Sequence, residues 1–168
     1  ETGVMTITAQ LSATSGLNVT VPFSINGTST ASNPADYSIT ASPITITAGS
    51  LTNTIDITIN PDALDENNET VVVDMGAPVN AAQGATIHHT ATITDDDPAP
   101  SVQFTLASSA GNENITPVSL AVEIDAASGK NVAVDYAVTG GSATGADYTL
   151  ASGTLTISAG SMSSNISL

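Results

Sequence analysis

Thr45-Ile46-Thr47-Ala48-Gly49-Ser50 returns as Thr156-Ile157-Ser158-Ala159-Gly160-Ser161, 111 residues further along the 168-residue chain. The match runs ungapped from Asp36-Tyr37-Ser38 to Ile57 and from Asp147-Tyr148-Thr149 to Leu168, with eight of 22 positions identical. Upstream, Ser15-Gly16-Leu17-Asn18-Val19-Thr20-Val21-Pro22-Phe23 matches Ser128-Gly129-Lys130-Asn131-Val132-Ala133-Val134-Asp135-Tyr136 at an offset of 113, so the first copy carries two extra residues before Asp36. A repeat of about 110 residues is the size of one sandwich domain.

Outward from this repeat, the apolar residues alternate with period two. Val4, Thr6, Thr8 and Gln10 fall on one side of an extended strand, and Met5, Ile7, Ala9 and Leu11 on the other, which is the inward set. The same alternation marks residues 17–25, 44–47, 53–59, 69–75 and 85–94, separated by clusters of Gly, Pro, Asn and Asp. No stretch has helical periodicity, and Asn60 to Asn67 reads as an acidic loop. The chain is therefore expected to be all-β, as tandem immunoglobulin-like sandwiches at residues 1–97 and 101–168 joined by a short linker at 98–100. Ser101 to Leu106 reads as an opening strand that the first copy lacks, while the second copy stops before the counterparts of Thr58 to Asp97. A piece of a longer array explains both ends.

Charge narrows the chemistry. Sixteen acidic residues face one basic residue, Lys130, for a net charge of −15. Phosphate binding rests on clustered Lys and Arg, so nucleic acid is excluded as a partner, and docking on an anionic membrane is disfavoured. No apolar run reaches the roughly 18 residues of a spanning helix, so direct membrane insertion is not expected, and the N-terminus has no signal-peptide pattern. The absence of cysteine removes disulfides, thiolate metal sites and a cysteine nucleophile. The first 97 residues hold eleven carboxylates and no Lys or Arg, so none has a local salt-bridge partner. Two carboxylates about 4 Å apart repel by roughly 4 kcal/mol at an effective dielectric near 20. A hard divalent cation reverses that sign, and calcium takes its six to eight ligands from such oxygens. The competing reading is a solvated acidic surface that gives solubility.

The ordered series of motifs makes the case specific. Glu1 opens the first long strand, Ala35-Asp36-Tyr37 precedes the Thr-Ile-Thr-Ala-Gly-Ser strand and turn, Asp62-Ala63-Leu64-Asp65-Glu66-Asn67-Asn68-Glu69-Thr70-Val71 follows, and Ala91-Thr92-Ile93-Thr94-Asp95-Asp96-Asp97 closes the copy. This series resembles the Calx-beta family across essentially the whole chain. The resemblance implies a seven-stranded immunoglobulin-like sandwich, often in tandem, with calcium at one end in the calcium-binding members. It implies metal-ligand roles for Glu1, Asp36, Asp62, Glu66, Glu69, Asp95, Asp96 and Asp97, and for Glu113 and Asp147 in the second copy. Pro61 stands where the family usually has the first Asp of a pair, which should weaken or remove one ion.

Other constellations carry less. His88 and His89 are neighbours on one strand and point to opposite faces, so they do not share a metal. No Gly-x-Ser-x-Gly frame accompanies them, and a chain without Trp has little to stack a sugar against. An enzyme is not expected. Tyr37, Tyr148, Phe23 and Tyr136 read as core. The expected function is a calcium-binding structural or adhesive module of an extended extracellular or cell-surface protein, with calcium stiffening the connection between neighbouring repeats of the same protein. Two alternatives remain open: a calcium-sensing regulatory domain, and a filament subunit in which copies of the chain exchange a strand.

Overall fold

The computed structural model describes residues 1–112, 114 and 117–168, and among them every regular element is a strand. They form two compact units. Unit 1 is Glu1–Asp62 with Asn68–Asp96; unit 2 is Ala63–Asn67 with Asp97–Leu168.

Unit 1 holds β1 (Gly3–Gln10), β2 (Val19–Val21), β3 (Phe23–Ile25), β4 (Tyr37–Ile39), β5 (Ile44–Ile46), β6 (Thr52–Ile59), β7 (Glu69–Met75) and β8 (His88–Ile93). All pairings are antiparallel, in sheets ordered β1-β6-β4, β2-β5 and β3-β7-β8. The long ladder sets Met5 opposite Ile57 and Ile7 opposite Ile55, so the inward set of β1 meets the inward set of β6. Ala9 is buried, and Met5, Ile7 and Leu11 pack on the core, as the alternation requires. Fourteen buried residues form that core, among them Val19, Tyr37, Ile46, Ile57, Val71 and Ile93, each at most 2% exposed.

The stretch expected as one strand over 17–25 is two. Proline has no N–H for a ladder, and Pro22 divides β2, which pairs with β5, from β3, which pairs with β7. The carbonyl of Pro22 accepts from Gly76 N–H at 2.8 Å, and Phe23 N–H is satisfied by the Ser42 hydroxyl at 2.9 Å. The last predicted strand is shorter than 85–94, although Met75 N–H still reaches the Ile87 carbonyl at 2.8 Å.

Unit 2 holds β9 (Val102–Phe104), β10 (Ser119–Ile124), β11 (Val132–Tyr136), β12 (Gly153–Ile157) and β13 (Ser163–Ser167), in sheets ordered β13-β10-β9 and β11-β12. Its buried cluster is small: Val122, Ile124, Ile157 and Ile166, flanked by partly buried Leu120, Val132 and Tyr136. Phe23 and Tyr37 are buried as expected, whereas Tyr136 and Tyr148 are only half-buried.

The repeat seen in sequence is a repeat in space. Gly49 and Gly160 both adopt positive φ, +86° and +75°, which a residue without Cβ accepts. Gly49 N–H donates to the Ser15 carbonyl at 2.9 Å and Gly160 N–H to the Ser128 carbonyl at 2.8 Å. Asn18 and Asn131 accept from Ala48 N–H and Ala159 N–H, both at 2.9 Å. The shared Thr/Ser-Ala-Gly-Ser sequence thus codes one turn, tied each time to the same upstream serine and asparagine.

Candidate metal centre

Strand direction decides where the acidic residues go. Glu1 precedes β1, Asp36 precedes β4, Asp62 follows β6, Glu69 opens β7, and Asp95 and Asp96 follow β8. Gly3 and Tyr37 both pair with Ile59, and Glu69 pairs with Ile93. These antiparallel registers bring the beginnings of β1, β4 and β7 and the ends of β6 and β8 to one end of unit 1, and six of the predicted ligands lie there. Glu66 and Asp97 belong to unit 2, and Glu113 lies outside the described residues.

Specific bonds hold this end together. The amino group of Glu1 forms an ion pair with Asp96, although the two are 95 residues apart. The Asp36 carboxylate accepts from Ser32 N–H, and its own N–H donates to the Ser32 carbonyl at 2.8 Å, closing a tight turn. The carbonyl of Asp36 accepts from Asn60 N–H at 2.9 Å, which fixes the exit of β6 beside the entry of β4. Asp95 N–H donates to the Asn68 side chain at 3.1 Å, tying the exit of β8 to the entry of β7. Beneath them Tyr37 is 1% exposed; burial, helped by the charge of Asp36, pushes its phenol pKa up.

The donor set fits a hard cation in kind, since every candidate is a carboxylate. Its present spacing is open: among the described residues, no three His, Asp or Glu side chains gather closely enough to hold one metal ion. Asp36 turns instead toward the Ser32 N–H, and Asp96 toward the amino group of Glu1. Asp147, the counterpart of Asp36, behaves alike. Its carboxylate accepts from Thr144 N–H at 2.7 Å and from the Thr144 hydroxyl at 3.0 Å, and these bonds hold its pKa below the ordinary carboxylate value.

Two polar clusters escaped the sequence reading. Asp65, from the acidic loop, is buried within unit 2, where Lys130 Nζ meets its carboxylate and the Ser128 hydroxyl donates to it at 3.2 Å. Gly129 N–H donates to the Asp65 carbonyl at 3.1 Å. The partner of Asp65 is not a local one: it lies 65 residues away, in the second repeat, and no spacing rule reaches that far. The second cluster is on the β7–β8 ladder, where His88 is opposite Asp74. His88 Nδ1 and Asn26 Nδ2 each lie 2.7 Å from an Asp74 carboxylate oxygen, and these bonds, that of His88 first, lower the Asp74 pKa. His88 and His89 are both exposed.

The family model of the Calx-beta domain matches residues 1–97 and, a second time, residues 95–168. The chain belongs to the Calx-beta domain family. Its fold is also that of solved Calx-beta-type tandems. It is similar to the crystal structure of CBD12 from CALX1.2, with a TM-score of 0.51, 20% identity, and coverage of 98% of this chain and 67% of that one. It is likewise similar to calcium binding domain CBD12 of CALX1.1, with a TM-score of 0.51, 21% identity, and coverage of 99% and 68%. No curated protein matches the sequence. For this Calx-beta tandem the similarity at such identity establishes the fold, and the chemistry has to be argued from its own carboxylates.

Proposed function

We propose that the chain is a calcium-binding structural module of an extended extracellular or cell-surface protein. The observation that carries this reading is the gathering of the strand ends that bear Glu1, Asp36, Asp62, Glu69, Asp95 and Asp96 at one end of unit 1. Calcium supplies the charge that this end lacks, and carboxylates that now turn to N–H groups become its oxygen ligands. Asp147 is the counterpart of Asp36 in the second repeat, and Glu113 that of Glu1. Because Asp95-Asp96-Asp97 runs directly into Pro98-Ala99-Pro100, an ion held there also restrains the connecting chain. That suits a load-bearing or adhesive role. The similarity to a calcium binding domain CBD12 supports the choice of ion.

Calorimetric titration of the whole chain with calcium tests the proposal, alongside a thermal melt. Saturable uptake with a rise in melting temperature is expected, and Asp62→Asn and Asp96→Asn should each weaken both. Extracellular sites work at roughly 10⁻⁴–10⁻³ M, so flat heats to about 10 mM would leave only a solvated acidic surface. Micromolar affinity with a large conformational change would instead favour a sensor.

A further inference from the structure

The turn that follows β3 holds the one Asn-Gly pair in the sequence, Asn26-Gly27. Nothing in the backbone asks for that glycine. Gly27 has no positive φ, and a Cβ added to it would meet no atom within 4 Å, so alanine fits there at a lower cost in chain entropy. What the missing side chain changes is chemistry, since it leaves the Gly27 amide nitrogen open to the asparagine before it. Elsewhere that opening is closed. Asn33 and Asn60 precede prolines, which have no N–H, and the remaining asparagines precede residues that carry a side chain.

The Asn26 side chain is held at both of its polar atoms. Its Oδ1 accepts from the Thr28 N–H and from the Thr28 hydroxyl, each at 2.9 Å. Its Nδ2 donates at 2.7 Å to Asp74, the carboxylate that His88 meets from the other side. The main chain is tied as well: Asn26 N–H donates to the Val72 carbonyl at 2.8 Å, and the Asn26 carbonyl accepts from Ser29 N–H at 3.0 Å. The two donors on Oδ1 stand where negative charge grows when the amide carbon is attacked, and donors so placed stabilise that charge.

We propose that Asn26 is a site of spontaneous deamidation, and that its conversion is a timed loss of the bond between this turn and Asp74. The Gly27 nitrogen gives its proton to base and bonds to Asn26 Cγ. The Cγ–Nδ2 bond breaks, ammonia leaves with a proton taken from water, and a succinimide ring remains. Water then opens the ring at either carbonyl to give aspartate or isoaspartate, so one water enters and one ammonia leaves. Either product puts a carboxylate where Asp74 had a donor, and like charges in contact repel. Isoaspartate also lengthens the main chain by one atom. That extra atom falls beside the bonds by which Asn26, Thr30 and Ala31 N–H groups reach the Val72 and Thr70 carbonyls of β7.

The test is ageing of the whole chain at mildly alkaline pH, below its first melting transition and in chelator so that calcium plays no part. Peptide mapping with isoaspartyl methyltransferase as the probe then locates the products. The mass gain of amide hydrolysis is expected at Asn26 before any other asparagine, and faster as pH rises. Gly27→Ala should slow the conversion by about tenfold or more while the fresh variant melts no lower than the parent, which separates chemistry at the amide from misfolding. Asn26→Asp, made directly, should melt below the parent. Adding Asp74→Asn to it should return part of that loss, because a donor again faces a carboxylate. An Asn26 amide that outlasts the other asparagines overturns the proposal, as does a Gly27→Ala chain that converts at the parent's rate. An Asn26→Asp chain that melts like the parent overturns the link to Asp74.

Discussion

At the scale of single residues, the informative groups are the charged ones whose partners are fixed by distance. Asp74 and Asp125 have pKa values below the ordinary carboxylate value. The cause is the His88 and Asn26 side chains for the first, and the Ser101 hydroxyl and N–H for the second. A carboxyl that is more acidic in the folded chain stabilises the fold fully above its unfolded pKa, about 4. That contribution is lost as pH falls through the lower folded value. Stability from these two groups is thus expected to hold down to about pH 5 and fall below about pH 4. Asp74→Asn and Asp125→Asn should each lower the melting temperature at neutral pH and flatten the acid limb of a denaturation series. Lys130→Met makes the opposite kind of point. It leaves Asp65, 7% exposed, with the Ser128 hydroxyl as its remaining side-chain donor. A cost of about 2–3 kcal/mol in urea unfolding is expected, from the uncompensated buried charge. Neither partnership was legible beforehand. An ion pair 65 residues apart leaves no trace in a local pattern, and the Asp74–His88 pair needed the β7–β8 register.

Among the elements, the turn after β5 and β12 gives the sharpest link between sequence and shape. Gly49 and Gly160 hold the same positive φ on the same serine carbonyl, so the six-residue motif is a structural unit. Gly49→Ala and Gly160→Ala should each cost about 1 kcal/mol. The open space around both glycines assigns that cost to backbone conformation alone, and equal shifts in the two would show that one motif does one job twice. The strands of unit 1 were readable because an extended chain half in water must alternate: Met5, Ile7, Ala9 and Leu11 turned inward as expected. What failed was continuity. Residues 17–25 keep one alternating pattern across Pro22, yet the partner changes from β5 to β7 there, and alternation carries no information about which neighbour supplies the ladder. The acidic end was legible for a different reason. Order along the chain fixes which strand ends carry carboxylates, and antiparallel pairing then collects those ends. Side-chain spacing does not follow from order, and the open arrangement of Asp36 and Asp96 came only with the structure.

Across the whole molecule, the two units differ most in what they bury. Among the described residues, unit 1 closes over fourteen buried apolar residues and unit 2 over four, and hydrophobic burial is the dominant favourable contribution to folding. Calorimetry of the chain without calcium is expected to resolve two transitions, unit 2 melting first. Ile57→Ala, at a fully buried position, should move only the upper transition, by about 2–5 kcal/mol. Ile157→Ala should move only the lower one. A single transition that responds equally to both substitutions would show that the units unfold as one.

Unit 2 is also written in two places along the chain, since Ala63–Asn67 belongs with it while the residues on either side belong with unit 1. Tandem modules are commonly thought of as beads that recombination can shuffle by cutting at the linker. A cut at Pro98-Ala99-Pro100 would divide this pair badly, leaving the buried Asp65 on one product and Lys130, its counter-ion, on the other. A fusion that swaps either repeat for a foreign one is therefore expected to keep its stability only where residues 63–67 stay matched to residues 128–130.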